Sequence, residues 1–259
     1  MNSTPWPIGG SISATRIVWA ALADIPDAVL QACAARLDPE AAERAARFRR
    51  DLDRRAFLGG RALAALLAAS FGIKPQLRLR EGGKPALLEA DGPDFSISHS
   101  GGWVAVAMGG GQAVGVDLEP VDRPVDGLAL AERFFTADEY GALRMLPPAA
   151  QQERFLAAWT IKEAWAKATG LGLSADLGKV RLAASGVIAL QDDERDWTVA
   201  LYRPEPALHL ALALHHPETT PPAIEWGRAC WGEDGFWDGL RITHASISPV
   251  ASSRSATCG

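Results

Sequence analysis

A chain of 259 residues, 48 % apolar and 22 % charged, has the composition of a globular protein with one large core or two ordinary ones. A formal net charge of −5 excludes binding of nucleic acid through bulk positive charge. The longest apolar run, residues 62–69, is too short to cross a bilayer, and the first residues lack a basic-then-apolar signal pattern, so a cytoplasmic location is expected.

The three cysteines, Cys33, Cys230 and Cys258, are odd in number and widely spaced, which reads as reduced thiols without a metal-ligand pairing. Only five of the 26 basic residues are lysines, and three of those, Lys84, Lys162 and Lys167, fall in the segments singled out below. A compact ammonium is a different device from a planar guanidinium and suits a crowded phosphate site.

In chain order, residues 1–14 are polar and expected to be mobile. A strand is predicted over 16–22 and a helix over 27–37. Asp38 and Pro39 then open a second helix as N-cap and first residue. That helical region runs through the arginines of 47–55 toward residue 69, with a break expected at Gly59-Gly60. A short strand over 77–80 precedes the turn Glu81-Gly82-Gly83. Strands over 95–98 and 103–108 form a hairpin around Ser100-Gly101-Gly102.

A strand over 114–119 follows, then helices over 128–134 and 136–145, the latter opened by a Thr136/Glu139 capping box. After Pro147-Pro148 a helix is predicted over 151–169, with Gly170 as its C-cap. Strands over 180–190, 197–202 and 208–214 close the pattern. Helices followed by strands, twice over, predict an α+β architecture. The expected organisation is a flexible segment 1–14, an α+β half over 15–111, a second over 112–225 that carries the metal site, and an extension 226–259. In that extension Trp226, Trp231, Phe236 and Trp237 can pack on the body, and 246–259 is expected to be disordered.

Chemistry concentrates in Gly115-Val116-Asp117-Leu118-Glu119 and Trp159-Thr160-Ile161-Lys162-Glu163-Ala164, with Lys167 beyond. On a strand, Asp117 and Glu119 share one face with Cα atoms about 6.6 Å apart, while Val114, Val116 and Leu118 take the other. Two like charges so close repel unless a cation relieves them, and a divalent metal does so most simply. Glu163 lies on the helical stripe of Phe155, Leu156 and Trp159, where an ionised carboxylate needs a partner. That partner is either the same metal or Lys167, four residues on.

These two segments resemble, in order and spacing, the signature motifs of the 4′-phosphopantetheinyl transferases, and in particular the long surfactin-synthetase-type class. Gly83-Lys84-Pro85, Phe95-Ser96-Ile97-Ser98-His99-Ser100 and Phe134-Phe135-Thr136 with Glu139-Tyr140 are similar to further motifs of that class, so the likeness covers about residues 16–216. It implies Mg²⁺-dependent transfer of the phosphopantetheine arm of coenzyme A to a serine of an apo acyl or peptidyl carrier protein, releasing 3′,5′-ADP. Two similar α+β halves would form a pseudo-dimer with the active site in the cleft between them, in a monomeric protein that binds neither nucleic acid nor membrane.

By that likeness Asp117, Glu119 and Glu163 would be the metal ligands, and Glu163 and Lys167 the catalytic pair. Arg55, Lys84, Pro85, Ser98, His99 and Lys167 would bind the cofactor. Glu163 or a metal-bound water would take the serine proton. Each residue also has a plainer reading: a turn histidine for His99, a hairpin lysine for Lys84, a solvated helix face for Arg55. Lys162 is either a phosphate contact or solvated. Where members of the class carry lysine, this chain has Ala41. Phe134-Phe135 and the helix around Tyr140 are candidates by resemblance for docking the carrier. Three acids alone would also suit a Mg²⁺-dependent phosphohydrolase or nucleotidyl transferase, and a non-catalytic module holding coenzyme A or a carrier protein is the third alternative.

Overall fold

The computed structural model describes residues 14–74, 76–79, 85–88, 92–109, 113–183, 185–191, 196–216, 223–231, 240–245, 249 and 251–252. The expectations for 1–13, for Arg80 and the turn at Glu81-Gly82-Gly83-Lys84, for Phe236 and Trp237, and for most of 246–259 fall outside those residues. The chain divides into two compact units. One comprises Met1–Gly110 with Pro222–Ser246, the other Gly111–Pro221 with Ile247–Gly259.

The first unit is α+β. Strand β1 (Thr15–Ala21) leads into helices α1 (Asp27–Ala34), α2 (Pro39–Ala46) and α3 (Asp51–Ser70). A small hairpin, β2 (Leu77–Leu79) and β3 (Pro85–Leu87), precedes the longer hairpin of β4 (Phe95–Ser100) and β5 (Trp103–Gly109). Asp38 caps α2 as expected, accepting from the Ala41 N–H at 2.8 Å. The helical region is broken at 47–50 and not at the glycines. Gly59 and Gly60 lie inside α3, where an added Cβ would come within 2.7 Å of Ile25 and 2.6 Å of Ile97. They are the surface through which α3 packs on the sheet, and tertiary contact outweighs their poor helix propensity.

The sheet of this unit runs β12-β11-β1-β5-β4. Its outer strands, β11 (Ile224–Trp231) and β12 (Leu240–Ala245), come from the segment expected to be an extension. Strand β11 pairs parallel to β1, and Trp226 meets Trp19 edge to face at 6.4 Å. The alternation in 224–231 is diluted by Gly227 and Arg228, so only the pairing with β1 identifies it as a strand.

The second unit runs β6 (Ala113–Pro120), α4 (Gly127–Phe134), α5 (Ala137–Arg144), α6 (Pro148–Thr169), the hairpin β7 (Val180–Leu182) and β8 (Ile188–Leu190), then β9 (Trp197–Glu205) and β10 (Leu208–His215). Its sheet is ordered β13-β9-β10-β6, with β13 (Ala251–Ser252) from the chain's last residues. The strand expected over 180–190 is therefore two strands. Gly186, at φ +86°, closes a turn in which Ala183 and Val187 bond. Helix α6 begins three residues earlier than expected because Pro148 occupies its first turn, where a missing N–H costs nothing. Gly170 ends it at φ +75°.

The order of elements recurs. Each unit reads strand, two eight-residue helices, one long helix, a short hairpin and two antiparallel strands, the last paired with the first. In each, the long helix lies on the sheet and buries the main apolar core.

Candidate active site

Glycine at position 115 decides where the second unit's charged groups meet. A Cβ there would sit 1.9 Å from the Ala164 carbonyl oxygen and 2.5 Å from the Ala168 nitrogen. Both are backbone atoms, so α6 crosses β6 with no room for a side chain between them. Opposite, β10 offers Ala213 against Gly115 and Ala211 against Asp117. Strand alternation puts Asp117 and Glu119 on the face that Gly115 presents to α6. Glu163, just before Ala164, and Lys167, just before Ala168, arrive beside Asp117.

Asp117 and Glu119 are 5 % and 6 % exposed. Lys167 Nζ donates to Asp117 Oδ1 at 2.6 Å, and Arg123 Nη1 donates to Glu119 Oε1. Glu163 is half-buried. Burial first, and then the Asp117 carboxylate, push its carboxyl above the usual range, while Lys167 and Arg123 pull it back. Arg123 was not anticipated from the sequence. Its signal is the spacing of four from Glu119 across the Val121-Asp122 turn, and Gln152 of α6 secures that turn by donating to the Arg123 carbonyl at 2.9 Å.

Donor type matches a hard divalent cation, since the Asp117 and Glu163 carboxylates press on one another and Glu119 shares their face of the strand. The side chains do not converge on a point: among the described residues no group of three or more His, Cys, Asp or Glu has metal-site geometry. Lys167 and Arg123 instead draw Asp117 and Glu119 in two directions.

Lys162 departs from both readings given to it. It is fully buried, and its Nζ donates to Glu139 Oε2 at 3.0 Å and to the carbonyls of Leu177 and Val180 at 2.8 and 2.6 Å. Glu139 completes the expected capping box with Thr136 and accepts from the Leu182 N–H at 3.3 Å. Lys162 is thus the hub joining α5, α6 and β7. Its neighbour Glu163 is set in place by that anchor. Phe135 stacks on Phe155 at 5.4 Å beneath the Lys162 ammonium, and Phe134 meets Trp159 at 5.6 Å, so these rings are packing elements.

The remaining candidates lie in the first unit. Arg55, on α3, is tied to the Asp27 carboxylate and donates to the carbonyls of Ile25 at 2.8 Å and Leu22 at 3.3 Å. His99 is not in a turn but on β4, paired with Val104, and exposed; Ser98 projects to the opposite face and is buried. Pro85 opens β3 and is half-buried. Lys84 lies outside the described residues.

Residues 113–219 match the model of the 4′-phosphopantetheinyl transferase superfamily. The chain is 39 % identical to 4′-phosphopantetheinyl transferase psf-1 of Bacillus pumilus, over 52 % of this chain and 58 % of that one. It is 36 % identical to 4′-phosphopantetheinyl transferase HetI of a Nostoc species, over 64 % and 73 % of the two chains. With 4′-phosphopantetheinyl transferase Sfp of Bacillus subtilis the identity is 30 %, over 70 % and 84 %.

Proposed function

This chain belongs to the 4′-phosphopantetheinyl transferase superfamily, and on that premise we propose that it moves the phosphopantetheine arm of coenzyme A onto a serine of an apo carrier protein. It is a transferase. The observation that carries the reading is the strand acid pair, Asp117 and Glu119, held by Gly115 against the α6 residues Glu163 and Lys167, within the stretch that matches the family.

In this reaction the serine oxygen attacks the β-phosphorus of the pyrophosphate. A new P–O bond forms, the bridging P–O bond breaks, and 3′,5′-ADP leaves. Glu163, set beside Asp117 and Lys167, is the carboxylate placed to accept the serine proton. Lys167 is suited to sit against the charge that develops on the transferring group. Asp117, Glu119 and Glu163 would hold Mg²⁺, which when bound neutralises phosphate charge and orients the pyrophosphate. Holding it requires Lys167 and Arg123 to release their carboxylates. His99, Ser98, Pro85 and Lys84 remain the proposed cofactor contacts. Arg55 is a weaker one, given its three partners.

The shared order of elements supports reading the two units as related halves of a pseudo-dimer. No helix among the described residues is long and apolar enough to cross a membrane, and a cytoplasmic, monomeric protein belongs to the proposal.

Incubation with coenzyme A, Mg²⁺ and a panel of apo carrier proteins, read by intact mass, tests the reading. One phosphopantetheine arm gained on a carrier serine is expected, whereas release of phosphate with an unchanged carrier would identify a phosphohydrolase. Glu163→Gln should lower the transfer rate by about 10²–10⁴ with circular dichroism unchanged. Transfer at the unaltered rate would remove Glu163 from the mechanism.

A further inference from the structure

The acid cluster of the second unit holds cations of its own. Lys167 is paired with Asp117, and Arg123 with Glu119. Both also act on Glu163, whose carboxyl they pull back toward the usual range. Arg123 is thus close enough to two of the three acids to serve each as a counter-ion. The Glu119 side chain is 8 % exposed, and a carboxylate so buried is costly to leave without one.

The backbone and the side chain of Arg123 are held very differently. Its N–H donates to the Pro120 carbonyl at 3.2 Å, and Gln152 of α6 donates to its own carbonyl at 2.9 Å. One residue pair earlier, the Val121 N–H donates to the Ala207 carbonyl at 3.0 Å, and Pro124 follows with its fixed φ. The turn is therefore pinned on both sides. The side chain, by contrast, is 37 % exposed, and among the described residues Glu119 is the one group its guanidinium bonds. Rotation about its own side-chain bonds is enough to carry the charge from Glu119 into water, with no movement of the strand or the helix.

On the reading of Asp117, Glu119 and Glu163 as the Mg²⁺ ligands, we propose that Arg123 is a built-in competitor for that cation. It neutralises Glu119 while the site is without metal, gives the carboxylate up by turning into solvent when a divalent ion is taken, and so sets how tightly the ion is held. One charge-assisted hydrogen bond is surrendered for each ion bound, which lowers the affinity by about tenfold to a hundredfold.

Titration of the full chain with Mn²⁺, a hard cation of the same donor preference, tests this without coenzyme A, read by loss of the free-ion electron paramagnetic resonance signal. Arg123→Gln should bind Mn²⁺ about tenfold to a hundredfold tighter, and Arg123→Lys should gain less. Without metal Arg123→Gln should melt below the native chain, and saturating Mn²⁺ should raise its Tm by more than it raises the native one. Arg144→Gln, an exposed arginine at the end of α5, makes the same change in net charge and should leave the affinity unaltered. Binding by Arg123→Gln no tighter than by the native chain, or an equal gain in Arg144→Gln, would overturn the proposal and leave the transferase reading standing. No Mn²⁺ binding by the native chain or by Arg123→Gln would overturn the metal assignment together with the proposal.

Discussion

In the first unit, the opening strand turns Arg16 toward the end of the long helix. There Ser70 accepts through its carbonyl at 3.0 Å and its hydroxyl at 2.9 Å, Phe71 lies 4.3 Å below the guanidinium, and Glu225 of the neighbouring strand closes an ion pair at 2.8 Å. In the second unit, the corresponding strand turns Asp117 and Glu119 toward its long helix, and that helix answers with a further acid, Glu163, as well as with Lys167. The same order of elements thus carries a satisfied structural cation in one half and a crowded set of anions in the other. Repulsion among like charges is a cost that a purely structural seam would avoid. The proposed function gives the second unit's seam a reason to bear that cost, and the buried Lys162–Glu139 pair anchors the same helix beside it.

The largest effect expected from this contrast is at that anchor. Lys162→Met should cost about 3–5 kcal/mol, since it leaves Glu139, 9 % exposed, without its buried counter-charge. Arg16→Met should cost roughly half as much, because Glu225 is 40 % exposed and can be rehydrated. Urea denaturation resolved by hydrogen exchange in each unit measures both, and equal losses would erase the distinction.

Next come the glycines at the two helix–sheet contacts. Gly115→Ala drives a methyl into backbone atoms and should destabilise the second unit by about 3 kcal/mol. Gly60→Ala meets the Ile97 Cγ2 methyl at 2.6 Å, so a stiff β-branched side chain must shift, but no backbone atom is struck and about 1 kcal/mol of helix propensity is gained in return. A net loss of about 1–2 kcal/mol is expected there, overpacking less the propensity gained, and a loss as large as at Gly115 would show that both seams are equally rigid.

Acid should separate the units further. Burial first, and then Arg203, hold His209 down to about 4 in the fold, against 6.5 when free. Between those values the unfolded chain binds the additional proton, so stability falls as pH drops from 6.5 to about 4, by at most about 3 kcal/mol. His209→Phe should flatten that limb in the second unit alone. The smallest effect concerns Cys33 of the first unit, whose thiol burial pushes up to about 11. Alkylation at pH 8, followed by peptide mapping, should run about a hundredfold slower there than for an ordinary cysteine. Labelling at the ordinary rate would mean that the α1–α3 contact opens readily.

Much of this was legible in the residues. The alternation around Asp117 and Glu119, the Asp38 cap, the Thr136/Glu139 capping box and the Gly170 stop are local signals, and the structure carries each of them. The errors share one origin. Gly59-Gly60 looked like a break because propensity is local, whereas their use is to admit Ile25 and Ile97 from elsewhere in the chain. Lys162 looked solvated or phosphate-bound because its three acceptors, on Glu139, Leu177 and Val180, are 15 to 23 residues away. Strand β11 was hidden because its pairing partner is over two hundred residues earlier in the chain.

By itself the sequence determined the α+β class, the helix boundaries set by caps and prolines, and the acid and lysine types to which the transferase chemistry is assigned by proposal. Those properties follow from side-chain periodicity and hydrogen bonds that close within one or two turns. Only the tertiary structure decided that α6 would press on Gly115, that Lys167 would reach Asp117 fifty residues earlier, and that His209 would be buried. Each of these needs groups distant in sequence to come within a few ångströms, and no local pattern encodes such a distance.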